Sequence, residues 1–161
     1  MIIIGIDPGL EGAIAYLVEG HRLIESSIRV VDTPTTKDGT HRVYLPQEMR
    51  RLLAEPTQGL RCHVFIEKVH SMPKQGVASS FNFGVGFGLW QGLIAGLGLP
   101  VTFVTPQRWM KDMMAGMQRG KDSSIVRAQE LFPDAPLSRK KDHGRADALL
   151  IAEWGRRQLG A

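Results

Sequence analysis

Three carboxylates stand where an apolar pattern should continue. Asp7 ends the run Ile2-Ile3-Ile4-Gly5-Ile6, Glu67 follows Val64-Phe65-Ile66, and Asp147 lies within Ala146-Asp147-Ala148-Leu149-Leu150-Ile151-Ala152. A carboxylate on an apolar face is costly to bury unless it is paired or bound to a cation. If the three converge, they repel one another, and a divalent cation relieves that repulsion. Mg2+ and Mn2+ both favour carboxylate oxygen. Helical spacing puts His143 on the same face as Asp147, Ile151 and Trp154. Asp142, one residue earlier, reads either as a further acidic group or as the N-cap of the last helix.

The elements that must position these groups follow from the apolar pattern. Residues 2–6 read as a central strand buried on both faces, broken by Asp7-Pro8-Gly9. Residues 13–18 and 22–32 read as two further strands, making an antiparallel meander. Residues 33–43, with their Thr, Asp, Gly and Lys, read as a loop. Pro46 suits the first turn of a helix running to about Ala54. Residues 62–66 form a fourth strand ending at Glu67, and 68–77 read as a loop. A long helix spans about Ala78 to Leu97, a fifth strand 101–104, and a short helix starts at Pro106. Residues 112–120 read as irregular. Helices follow over 122–131 and from near Asp142 to about Gln158. The order predicts an α/β fold, a mixed five-stranded sheet with helices on its faces.

The chain has 161 residues, 43% of them hydrophobic and 22% charged, with one cysteine and a net charge of +4. A chain of this length buries roughly 70% of its unfolded surface, so a single domain over residues 1–161 needs no disulfide or metal staple. The lone Cys62 fits a reducing compartment. No apolar run approaches the ~20 residues of a membrane span. The strand-like start, without a basic region before it, is unlike a signal peptide. The basic excess points to a polyanionic partner.

Gly84, Gly88, Gly92 and Gly96 recur every four residues in the long helix, with Ser80 one step earlier. Glycine within a helix costs ~1 kcal/mol relative to alanine, so four of them need compensation. Their spacing makes one ridge without side chains. It reads either as tight packing on the protein's own sheet or as a helix–helix contact across a twofold axis.

The segments Ile4-Gly5-Ile6-Asp7-Pro8-Gly9, Phe65-Ile66-Glu67-Lys68 and Gly144-Arg145-Ala146-Asp147-Ala148-Leu149-Leu150-Ile151-Ala152 together resemble the RuvC-like branch of the RNase H-like superfamily. Within it they look like the phage-type Holliday junction resolvases. The resemblance implies an RNase H-like sheet, a homodimer, and hydrolysis of opposing phosphodiesters in a four-way DNA junction. It implies two Mg2+ ions per site, with Mn2+ substituting, and no small-molecule cofactor. It also implies the cytoplasm of a bacterial or phage-infected cell. Asp7, Glu67 and Asp147 carry over by motif position. The fourth ligand of the family lies three or four residues before the last aspartate, where this chain has Gly144 and His143. The helix face favours His143, with Asp142 the alternative.

In the family the region after Glu67 meets the junction centre. Met72, Pro73, Phe81 and Phe83 are therefore candidate wedges that unstack bases, the two phenylalanines also reading as core. Lys68, Lys74, Arg108, Lys111, Arg119, Lys121, Arg139, Lys140, Lys141 and Arg145 are candidate phosphate contacts. Competing expectations are another RNase H-like nuclease acting on flaps, branched DNA or RNA–DNA hybrids, half of an actin-like ATPase, and a non-catalytic junction-binding protein. One domain without a second phosphate loop speaks against the ATPase. Intact carboxylates, which repel DNA, speak against the binding module.

Overall fold

Alternation along the first strand sets the architecture. In a computed structural model, which describes residues 1–18, 28–68, 76–118 and 120–160, β1 (Ile2–Asp7) lies at the centre of a five-stranded sheet. It is flanked by β2 (Ala13–Val18) and β3 (Ile28–Asp32) on one side, and by β6 (Cys62–Glu67) and β7 (Val101–Val104) on the other, in the order β3-β2-β1-β6-β7. β1, β2 and β3 pair antiparallel, while β1, β6 and β7 run parallel. Ile2, Ile4 and Ile6 face one layer with Val64 and Ile66, against α1 (Pro46–Thr57) and α2 (Val77–Gly96). Ile3 and Phe65 face the other, against α3 (Pro106–Met113), α4 (Ser123–Leu131) and α5 (His143–Gln158). The same period of two turns Asp7 and Glu67 to the α5 side.

The close fit of α5 on the sheet depends on small residues. A Cβ at Gly5 would collide with the Ala148 carbonyl and come within 2.5 Å of the Ala152 amide. A Cβ at Gly144 would collide with the Glu11 carbonyl in the β1–β2 turn. These two glycines let the helix and strand backbones nearly touch, which brings Asp147 beside Asp7.

Three expectations need correction. Residues 33–43 are not a loop: β4 (Thr35–Asp38) and β5 (His41–Tyr44) form a hairpin outside the main sheet. Its residues are largely exposed on both faces, so no apolar alternation marks them. The first helix continues past Ala54, through Pro56, to Thr57. Proline removes the amide that would bond the carbonyl four residues back, and the Tyr16 hydroxyl instead donates to that Leu52 carbonyl at 2.8 Å. The glycine ridge does not pack on the protein's own sheet: a Cβ at Gly84, Gly88, Gly92 or Gly96 would meet nothing within 4 Å among the described residues. Instead Gly86, Trp90 and Ile94 are the buried positions of α2. The third strand is described from Ile28, and its predicted start at 22–27 lies outside the described residues. Among those described, no helix is long and apolar enough to cross a membrane.

Candidate active site

Asp7 and Glu67 end neighbouring parallel strands, whose register pairs Ile6 with Ile66. Asp147 and His143 reach the same place from the first turns of α5, four residues apart. All four line one cleft of about 620 Å³, with the β1–β2 turn, Tyr44, and Asn82 and Phe83 of α2 around them. Each carboxylate has a different support. The Gly9 amide donates to Asp7 Oδ1 at 3.4 Å, and Trp109 Nε1 donates to Glu67 Oε2 at 2.8 Å. Ser124, at the start of α4, hydrogen-bonds Asp147. His143 Nε2 lies 3.5 Å from Asp122 Oδ1.

Burial pushes all three carboxyls upward, and repulsion from neighbouring carboxylates adds to it at Asp7 and Glu67. Asp7 is held well above the usual carboxylate range by burial, then by Asp147 and Glu67. Glu67 is raised to about 7 by burial and Asp147, against the Trp109 bond. Asp147 is raised to about 6 by burial, against Ser124 and His143. Asp147 Oδ1 is buried without a hydrogen-bond partner. Among the described residues, no three acidic, histidine or cysteine side chains close into a ready-made chelate. The groups stand around an open cleft, with a free buried oxygen and strained negative charge. That donor set fits hard divalent cations, which keep part of their water.

The sign of the pH effect follows. A carboxyl whose pKa is higher folded than unfolded keeps its proton in the folded state while the unfolded chain has lost it. Stability of the metal-free protein therefore falls as pH rises from about 4 to about 7, by about 1.4 kcal/mol per unit for each such group. Thermal melts in chelator are expected to show this decline. Added Mg2+ should raise the midpoint at pH 8 and have little effect at pH 5. A flat profile in chelator would contradict the raised folded-state pKa values of these carboxyls.

Trp109 and Tyr44 are site residues that the sequence reading missed. A tryptophan in a short amphipathic helix reads as core, and Trp109 is indeed buried; its bond to Glu67 depends on tertiary placement. Trp109→Phe keeps most of the ring and removes that donor. Lost outer partners of ligating groups typically cost 10- to 100-fold in metal affinity. Calorimetric titration with Mn2+ is expected to show about a tenfold weakening, and no further change when Glu67→Gln is already present.

Asp142 is not brought into the cleft. Only 1% exposed, it accepts bonds from the Arg139 backbone amide at 2.7 Å and from Arg139 Nε at 2.6 Å. Arg139 and Arg145 also hold Asp32 at the end of β3, at 3.0 and 2.5 Å. This cluster anchors the start of α5. It engages two arginines that the sequence offers as phosphate contacts, and lowers Asp32 to about 2, against burial, through those two arginine bonds. Lys140 and Lys141 beside it are exposed, as are Lys68, Lys111 and Lys121. The Arg108 guanidinium sits 5.3 Å from the centre of the Trp154 ring, two turns along α5 from Asp147. Phe81 is 70% exposed, while Phe83 is half-buried against Gly9. Met72, Pro73, Lys74 and Arg119 lie outside the described residues.

The mixed five-stranded sheet with helices on both faces shares its fold with solved RuvC structures. Thermus thermophilus RuvC matches with a TM-score of 0.60 at 17% identity, over 99% of this chain and 97% of that one. T. thermophilus RuvC in complex with a Holliday junction substrate matches with a TM-score of 0.61 at 19% identity, over 99% and 96%. In sequence, the chain is 39% identical over 99 residues to the chloroplastic Holliday junction resolvase MOC1 of Chlamydomonas reinhardtii. That match covers 60% of this chain and 11% of the length of that protein. No protein-family model matches the chain. Neither relative is a phage protein.

Proposed function

We infer that the protein is a structure-specific endonuclease that resolves four-way DNA junctions. The reading is carried by the convergence of Asp7, Glu67, Asp147 and His143 in one cleft of a RuvC-like fold. Likeness to a Holliday junction resolvase, and to RuvC solved with its junction, supports the substrate class. Asp7 would be the central holder of a divalent metal in this reading, because it feels both other carboxylates. Glu67 and Asp147 flank it, and His143 completes the set in place of Asp142. A divalent metal pair held there would supply Lewis-acid polarisation of the scissile phosphate and charge neutralisation at the leaving oxygen. The chain's own part is to hold the ligands in place: Trp109 orients Glu67, Ser124 orients Asp147, and Asp122 faces the ring of His143. In this reading the protein acts in the cytoplasm of a bacterial or phage-infected cell, as the family resemblance implies.

A homodimer suits this substrate, since a four-way junction is nearly twofold symmetric and two sites must cut opposing strands. The exposed glycine ridge of α2 supports a contact between two copies of that helix, where small residues allow backbones to approach. A Cβ at Gly88 meets nothing within 4 Å among the described residues, so Gly88→Glu is expected to halve the solution mass while the melt keeps one cooperative transition. An unchanged mass would move the interface elsewhere.

The substrate is tested by comparing a synthetic four-way junction, a flap, an RNA–DNA hybrid and a linear duplex, with Mg2+, Mn2+ or chelator. Metal-dependent cutting of the junction above the others is expected. Preferential cutting of flaps or hybrids would keep the site and change the substrate. Tight junction binding without cutting under either metal would make the protein a binding module.

A further inference from the structure

The β4–β5 hairpin stands apart from the main sheet and beside the cleft. Residues directly opposite in an antiparallel pair share a face, as do alternate residues along a strand. The pairs Thr35–Tyr44 and Lys37–Arg42 therefore put these four side chains on one face, and Thr36, Asp38, His41 and Val43 on the other. The first face is turned to the cleft: Tyr44 lines it beside Asp7, and Arg42 pairs with Glu11 on its rim. Arg42 also donates to Thr35 Oγ1 at 2.8 Å.

The hairpin is held firmly at its base. The Leu45 amide donates to the Pro34 carbonyl at 3.0 Å, and the Tyr44 hydroxyl donates to the Asn82 carbonyl on α2 at 3.2 Å. The end of that phenol fills the space over Gly86, where a Cβ would collide with it. Burial first, and then Asp7, push the Tyr44 hydroxyl up to about 12, so it stays a donor. The cleft floor is anionic, and a polyanion entering it needs cations on a wall. Lys37 is exposed and has no ion-pair partner among the described residues.

We propose that the cleft-side face of the β4–β5 hairpin is a DNA-backbone contact surface, with Lys37 and Arg42 binding phosphates of the strand that enters the cleft and Tyr44 fixing the hairpin over it. The proposal rests on the nuclease reading and adds a contact surface to it. Each phosphate contact contributes about 0.7–0.9 to the slope of log K against log salt, so a roughly fourfold rise in salt costs about threefold in affinity per contact.

The test compares Lys37→Gln on the cleft face with Thr36→Glu on the opposite face. Junction binding is measured in chelator across a salt series, and nicking in Mg2+. Lys37→Gln is expected to weaken binding about threefold, reduce the salt slope by nearly one, and place its loss in KM. Thr36→Glu should change each by less than twofold. If the wild type cuts junctions but Lys37→Gln leaves affinity and slope unchanged, the hairpin proposal fails alone. Equal weakening by Thr36→Glu would also overturn it, as a general field effect. If the wild type binds junctions without cutting them, the nuclease reading fails while the slope still decides the contact. Absence of any DNA binding would overturn both.

Discussion

Asp7→Asn is expected to reduce junction nicking by about three orders of magnitude or more, about 4 kcal/mol on the transition-state scale. The side chain is nearly isosteric, so the loss isolates the charge. Asp7 sits where burial and two other carboxylates act against its ionised form, which makes it the group that gains most from a cation. The same physics predicts an opposite sign for stability. Removing one of three repelling charges should raise the metal-free melting temperature at pH 8 by a few degrees, and should blunt the stabilisation by Mg2+. Lower activity together with a lower melting temperature would indicate misfolding instead. Nicking within tenfold of wild type would remove Asp7 from the chemistry.

The second large effect concerns the contact that builds the site. Gly5→Val puts a branched side chain where the backbone of α5 already lies, against Ala148 and Ala152. Overpacking in a core costs about 1–3 kcal/mol, and more where backbone must yield. β1 is the central strand and α5 is buried without a break from Ala148 to Gly155, so neither can move locally. A loss of about 3 kcal/mol corresponds to a fall of roughly 10 °C in midpoint for a domain of this size. Gly144→Ala meets only the β1–β2 turn at the end of the helix. It is expected to cost less stability, while shifting Asp147 away from Asp7 and lowering activity. If Gly5→Val melted like the wild type, the close approach of α5 to the sheet would be wrong.

Much of the site was legible because its residues break local rules. Asp7, Glu67 and Asp147 each interrupt an apolar run, and such interruptions are rare without a partner or cation. The five-stranded sheet was legible for the same reason, since Ile2–Ile6 and Val64–Ile66 are too apolar to be anything but buried strands. The β4–β5 hairpin was hidden because both of its faces are polar, so neither a period of two nor apolar content distinguishes Thr35–Tyr44 from a loop. The choice between Asp142 and His143 turned on Arg139, three residues from one and four from the other. Nothing in the sequence says that this arginine folds back onto Asp142 instead of reaching solvent. The orientation of the glycine ridge was open for a related reason: α2 is apolar nearly all round, so its pattern does not say which side meets the sheet. The first helix runs beyond Ala54 and through Pro56 because Tyr16, forty positions earlier in sequence than that proline, bonds the carbonyl its missing amide leaves free.

The central claim is that two such clefts act together on one four-way junction. A supercoiled plasmid that extrudes a cruciform tests it most directly. Resolution requires both opposing strands to be cut before the protein leaves, which converts the circle to a linear molecule. With Mg2+ and limiting protein, the linear product is expected to appear directly, with little nicked circle accumulating, and only for the plasmid that carries the cruciform. Accumulation of nicked circle alone, or equal cutting of a plasmid without a cruciform, would contradict the account.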